Sequence, residues 1–119
     1  MSNFYWVRCV SPSEIYICGQ KGGLYLGSHG GWENHSRPDL GVDFWCAEVF
    51  GGRLYLAATP RLYEFDGKQV SSLSTGLTPV PDGHRIHAND GVLWSFGTRH
   101  LCFFDGKKWT SVKHPDNPE

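Results

Sequence analysis

The chain of 119 residues has no apolar run approaching the roughly 18 to 20 residues that a membrane-spanning helix needs. It has no excess of either charge: 11 Lys and Arg stand against 12 Asp and Glu, a net charge of −1 with His neutral. That balance argues against a nucleic-acid partner and against a membrane surface, both of which require a basic field. The first residues, Met1-Ser2-Asn3-Phe4-Tyr5-Trp6, carry neither the basic segment nor the apolar stretch of a secretory signal. A cytoplasmic location is therefore expected. Helical periodicity is missing, and the glycine pairs lie between strand signals rather than ahead of helices, so a phosphate-cradling loop is not expected. No Ser-centred nucleophile motif is present. The four cysteines, Cys9, Cys18, Cys46 and Cys102, show no CxxC spacing, and three lie inside apolar strand signals. Buried, reduced thiols are expected of them in preference to a disulfide framework or a zinc site. No cofactor and no metal is expected.

What the chain does have is aromatic residues and a repeat. Five Trp, five Tyr and seven Phe give a short chain the means to bury a real core. Ile15-Tyr16-Ile17, Leu54-Tyr55-Leu56 and Leu93-Trp94-Ser95 recur at an interval of 39 residues. Ahead of each lies a first strand signal: Tyr5 to Val10, Phe44 to Val49, and Gly83 to Ala88. The turns between them are Ser11-Pro12-Ser13-Glu14, Phe50-Gly51-Gly52-Arg53 and Asn89-Asp90-Gly91-Val92, and Gly, Asn and Asp there supply hairpin chemistry. A third strand signal follows at Leu24-Tyr25-Leu26, Leu62-Tyr63-Glu64-Phe65 and Leu101-Cys102-Phe103-Phe104. Tight turns at His29-Gly30-Gly31, Asp66-Gly67-Lys68 and Asp105-Gly106-Lys107 lead to fourth strands opening at Trp32, Val70 and Trp109. Val70 in place of Trp predicts looser packing in the second copy. The pattern predicts an all-β chain with three four-stranded units, at about 3–40, 41–79 and 80–114, in a single domain. Pro115 to Glu119 read as a frayed end.

Blades reading Leu-Tyr, then Asp-Gly, then Trp resemble those of bacterial β-propellers of the kelch-like and tachylectin-like sort. The resemblance covers nearly the whole chain and implies a propeller fold, with no specific activity attached. A β-trefoil, which closes as a monomer, is the alternative for three copies of four strands. Propeller rings hold about four to eight blades, so three blades leave two faces open. The chain begins and ends in phase with the repeat, which predicts half of a six-bladed ring closed by a homodimer.

Function is expected where the copies diverge. Aligned without gaps, Trp6, Trp45 and His84 are equivalent, then Val7, Cys46 and Arg85, then Cys9, Glu48 and His87. Titratable groups near the axis, where a core needs none, mark candidate ligand-binding residues: Trp6, Trp45, Glu48, His84, Arg85 and His87. Arg61 and Arg99, in the loops between second and third strands, join them, since Arg beside aromatics suits a sugar, a carboxylate or a peptide. No residue is assigned a catalytic role. The sequence points to a non-catalytic binding or interaction module, its ligand a small molecule, glycan or protein. The alternatives are lectin-like carbohydrate binding and a hydrolase or lyase acting in the channel.

Overall fold

The computed structural model describes residues 3–59, 61–77, 80–97 and 101–112, so Arg99 and the tail from Lys113 onward lie outside the described residues. The chain is all-β: twelve strands in three sheets, each built from four strands consecutive in sequence. The first holds β1 (Phe4–Ser11), β2 (Glu14–Gly19), β3 (Gly23–Ser28) and β4 (Gly31–Asn34). The second holds β5 (Cys46–Phe50), β6 (Arg53–Ala57), β7 (Tyr63–Phe65) and β8 (Val70–Ser72). The third holds β9 (Arg85–Asn89), β10 (Val92–Phe96), β11 (Leu101–Phe104) and β12 (Trp109–Val112). Every neighbouring pair is antiparallel. No sheet borrows a strand from another, which sets the trefoil aside. These are three propeller blades in an arc 48 × 30 × 20 Å across.

Turn chemistry explains the pairing. Gly51 and Gly52 have φ of 60° and 80°, and Asp90 and Gly91 of 52° and 74°, so the first hairpins of blades two and three turn through two left-handed residues. Such turns match strand twist and keep the register regular. Pro12 cannot take positive φ, and the β1–β2 hairpin instead carries an irregularity between Cys9 and Ser11. Val10 is the extra residue, and it slips β1 by one position. The gapless alignment is corrected accordingly. Trp6, Cys46 and Arg85 are equivalent, because they pair with Cys18, Ala57 and Phe96. Arg8, Glu48 and His87 are equivalent, because they pair with Tyr16, Tyr55 and Trp94. The later turns share another device. Asp66 Oδ1 accepts from the N–H groups of Lys68 and Gln69, and Asp105 Oδ1 from those of Lys107 and Lys108.

Two cores result. Blade one presents Tyr16, Cys18 and Leu24 to Leu54, Leu56, Tyr63, Phe65 and Val70 of blade two. Blade two presents Cys46, Tyr55, Ala57 and Leu62 to Ile86, Leu93, Cys102 and Trp109 of blade three. Trp6, on the innermost strand, packs against both cores. The second copy is not looser at Val70, contrary to expectation. Val70 is 4% exposed, and it pairs with Phe65, which packs against the His35 ring at 4.7 Å. In blade one Trp32 pairs with Gly27, whose missing side chain leaves the indole ring its place. The four thiols are unpaired; Cys18, Cys46 and Cys102 are buried, and Cys9 is exposed.

The outward faces of the end blades are uncovered. On blade one, Val7, Ile17 and Tyr25 form one cross-strand row and Cys9, Ile15, Gly27 and Trp32 another. On blade three, His87, Trp94 and Phe103 form one row and Arg85, Phe96 and Leu101 another.

Candidate functional site

The three innermost strands, β1, β5 and β9, lie side by side and bring residues of all three blades together. At mid-strand the equivalent residues Arg8, Glu48 and His87 meet. Arg8 Nε donates to Glu48 Oε1 at 2.5 Å, as does the Val49 N–H at 3.1 Å. Glu48 Oε2 accepts from the Ala88 N–H at 3.1 Å and lies 3.7 Å from His87 Nδ1. Glu48 is 6% exposed. Burial acts to raise its carboxyl pKa, but the hydrogen bond from Arg8, the Ala88 N–H, the Arg8 charge and the Val49 N–H together hold it below the ordinary range. It is an ionised carboxylate fully engaged within the fold, linking blade one to blade three through blade two.

One turn of the pleat away, where the inner strands begin, a cleft of about 610 Å³ is lined by Phe4, Tyr5, Trp6, Trp45, His84 and Arg85. Trp45 and His84 are set there by equivalent backbone bonds: the Trp45 N–H donates to the Ala57 carbonyl and the His84 N–H to the Phe96 carbonyl. The rings of Tyr5 and Trp45 stack at 4.9 Å and 15°, and His84 meets Trp45 edge-on at 6.2 Å. The Arg85 guanidinium sits 5.0 Å from the centre of the Trp6 ring, a cation–π arrangement. Trp6 Nε1 is buried without an acceptor. Phe4, Tyr5 and Trp45 are exposed large hydrophobics, an unusual concentration on one rim.

The structure thus brings Trp6, Trp45, His84 and Arg85 together in the cleft, and Glu48 and His87 together beside it on the same strands. Arg61 is exposed and lines a separate groove with Leu73 and Leu77; Arg99 lies outside the described residues. Sequence reasoning missed Tyr5, Phe4 and Arg8. The signal for Arg8 was Pro12, where the first hairpin departs from the left-handed turn and Val10 shifts the register; Tyr5 falls in a second irregularity of β1, between Phe4 and Trp6, that nothing in the sequence marks. A further cleft of about 480 Å³ between blades two and three was also missed. Phe50, Tyr55 and a stacked Phe104–Trp109 pair line it, with Arg53, paired to Glu64, and Lys107 and Lys108. Elsewhere, burial pushes the Cys102 thiol up to about 11, and it raises the Cys18 and Cys46 thiols as well. Such thiols are held protonated, as core groups are.

No protein-family model matches the chain. Over 106 residues, 89% of its length, the chain is 31% identical to the immune protein Tsi7 of Pseudomonas aeruginosa, of which it spans 35%. Among solved structures it resembles YCF48, in a structure titled as bound to a D1 peptide. The TM-score is 0.69 with 15% identity, over 92% of this chain and 39% of that one. At that identity the likeness speaks for fold alone, and it agrees with the three sheets: the chain is three blades of a β-propeller.

Proposed function

We propose that the chain is a non-catalytic binding module that recognises its ligand at the mouth of the inner strands. The observation that carries this is the cleft itself, with exposed aromatic rings from blades one and two, His84 and an Arg85 that no carboxylate pairs among the described residues. Similarity over 89% of the chain to an immune protein supports a role in which recognition, rather than turnover, is the activity. A hydrolase or lyase is less well supported. Glu48, on the inner strand beside the cleft, is buried and held ionised, whereas a general acid or base works best with a pKa near the operating pH. Lectin-like binding is less well supported too, since among the described residues no Asp, Glu, Asn or Gln lines the cleft to meet sugar hydroxyls. The kelch-like or tachylectin-like type rests on the blade motif alone, and four unpaired thiols favour a reducing compartment such as the cytoplasm.

A second copy completes the ring in this proposal, giving six blades. The support is positional. Trp32 on the open face of blade one is equivalent to Val70 and Trp109, 4% and 7% exposed, yet is itself 56% exposed. Phe96 on the open face of blade three is equivalent to Cys18 and Ala57, both 0% exposed, yet is 45% exposed. Both faces keep core residue types at positions that are core in the other blades. They are also complementary, since blade three offers the kind of face that blade one offers to blade two. A two-fold pair therefore forms the same joint twice and leaves no open face. Light scattering on the purified chain tests this. A mass of twice 13.4 kDa is expected, and a stable monomer at micromolar concentration overturns the dimer. Loss of partner capture by Trp45→Ala, with folding intact, tests the cleft as the recognition surface.

A further inference from the structure

Arginine pairing singles out one cation. Among the described residues Arg8 is bound to Glu48, Arg37 to Asp39 through two nitrogens, and Arg53 to Glu64. Arg61 and Arg85 have no carboxylate, and of these only Arg85 lines the aromatic cleft. Its planar fork matches two oxygens of one carboxylate. Trp6 lines the same cleft with its ring, and His84 adds a ring nitrogen. Among the described residues no acidic side chain lines it. Around this donor set stand the stacked Tyr5 and Trp45 rings, flat and partly exposed, which suit a planar apolar body lying against them.

On the binding-module reading, and deepening it, we propose that the cleft takes a carboxylate carried on a flat apolar group. One guanidinium matches one negative charge. A phosphate dianion would call on further cations, and among the described residues the lining holds no Lys and no second Arg. Arg85 grips the carboxylate, the His84 ring stands beside it as a second polar group, and the aromatic rim covers the attached body. A free aromatic acid and the carboxyl end of a polypeptide share this chemistry.

Intrinsic tryptophan fluorescence reads the test directly, because Trp6 and Trp45 line the cleft. Phenylacetate is expected to give a saturable change and neutral benzyl alcohol none. Arg85→Gln is expected to weaken phenylacetate about tenfold or more, the usual scale for a hydrogen bond to a charged group. Arg85→Lys, which keeps the charge and loses the fork, is expected to fall between, and Arg61→Gln to change nothing. N-acetyl-Ala-Phe with a free carboxyl end, set against its amide, separates the sources. Tighter binding of the peptide acid than of phenylacetate assigns the site to a chain end, and the reverse assigns it to a free acid. Equal binding of acid and neutral forms, or an Arg85→Gln variant as good as the parent, overturns the proposal. The comparison of phenylacetate with benzyl alcohol on the unmodified chain remains decisive if Arg85→Gln does not fold. A dimer that binds neither probe overturns this ligand class alone. A monomer that binds phenylacetate overturns the ring and leaves the cleft standing.

Discussion

The middle blade and the two end blades are built from the same positions and live in different surroundings. Blade two is covered on both faces, and Leu54, Leu56, Tyr63 and Phe65 on one side and Tyr55, Ala57 and Leu62 on the other are buried. Blade one keeps Val7, Ile15, Ile17, Tyr25 and Trp32 on a face with nothing over it, and blade three keeps Trp94, Phe96, Leu101 and Phe103. If those faces had settled into contact with water, polar residues would be expected on them. Apart from Arg85 and His87 on the inner strand of blade three, they have instead kept the composition of an interior. The difference teaches that burial in this chain is a property of the neighbour, while residue type records the neighbour the position was built for.

The sharpest way to break that contrast is to truncate equivalent residues. Leu56→Ala, at a fully buried site, is expected to cost about 2–5 kcal/mol in urea unfolding. Ile17→Ala, at the equivalent position of blade one, is expected to cost under about 1 kcal/mol in dilute protein and, in the proposed ring, more as concentration rises, because association would then be linked to folding. Equal costs at every concentration would falsify the distinction between covered and uncovered faces. Next in size is Glu48→Ala, which strips acceptors from Arg8 and from the Ala88 and Val49 N–H groups. About 2–3 kcal/mol of destabilisation is expected, visible as a lowered urea midpoint with an unchanged slope.

Trp32→Ala comes third and acts on association rather than folding. An aromatic anchor of a protein interface is worth about 2 kcal/mol, so in the proposed dimer dissociation by sedimentation should shift by about thirtyfold while dilute-protein stability hardly moves. Acid is the mildest probe. The Glu48 carboxyl is held below its ordinary value of 4.5 in the folded chain, so its contribution is complete above that value and is lost as pH falls through the lower folded value. The parent should therefore lose stability below about pH 4.5 more steeply than Glu48→Gln, compared by thermal melts across pH; superimposable profiles would remove Glu48 from the account of acid sensitivity.

Much of the fold was legible because turn residues and period both spoke for it. Gly51-Gly52 and Asp90-Gly91 require left-handed backbone and obtained it, and Asp66-Gly67 and Asp105-Gly106 formed side-chain-capped turns. The one-residue slip in β1, which makes the inner-strand interval 40 against 39 for the second strands, was less visible, and only Pro12 betrays it. At the site, the divergence of Trp45, His84 and Arg85 from a core pattern pointed to the cleft. Tyr5 did not stand out, because a tyrosine in a strand looks like core until its neighbours are known. Glu48 was visible as titratable but not as spoken for: its partner Arg8 is 40 residues away, and only the corrected register sets the two on equivalent strands.

Stacked repeats ordinarily behave like a row of tiles, each coupled only to the next, so that such chains can fray from one end. Glu48 breaks that rule here by holding Arg8 of blade one and the Ala88 N–H of blade three in a single carboxylate, and Arg85 reaches over Trp6 to reinforce it. First and third tiles are thereby wired to each other across the second. Hydrogen exchange should find the inner strands of all three blades opening in concert, with the outer strands β4 and β12 free to come and go alone.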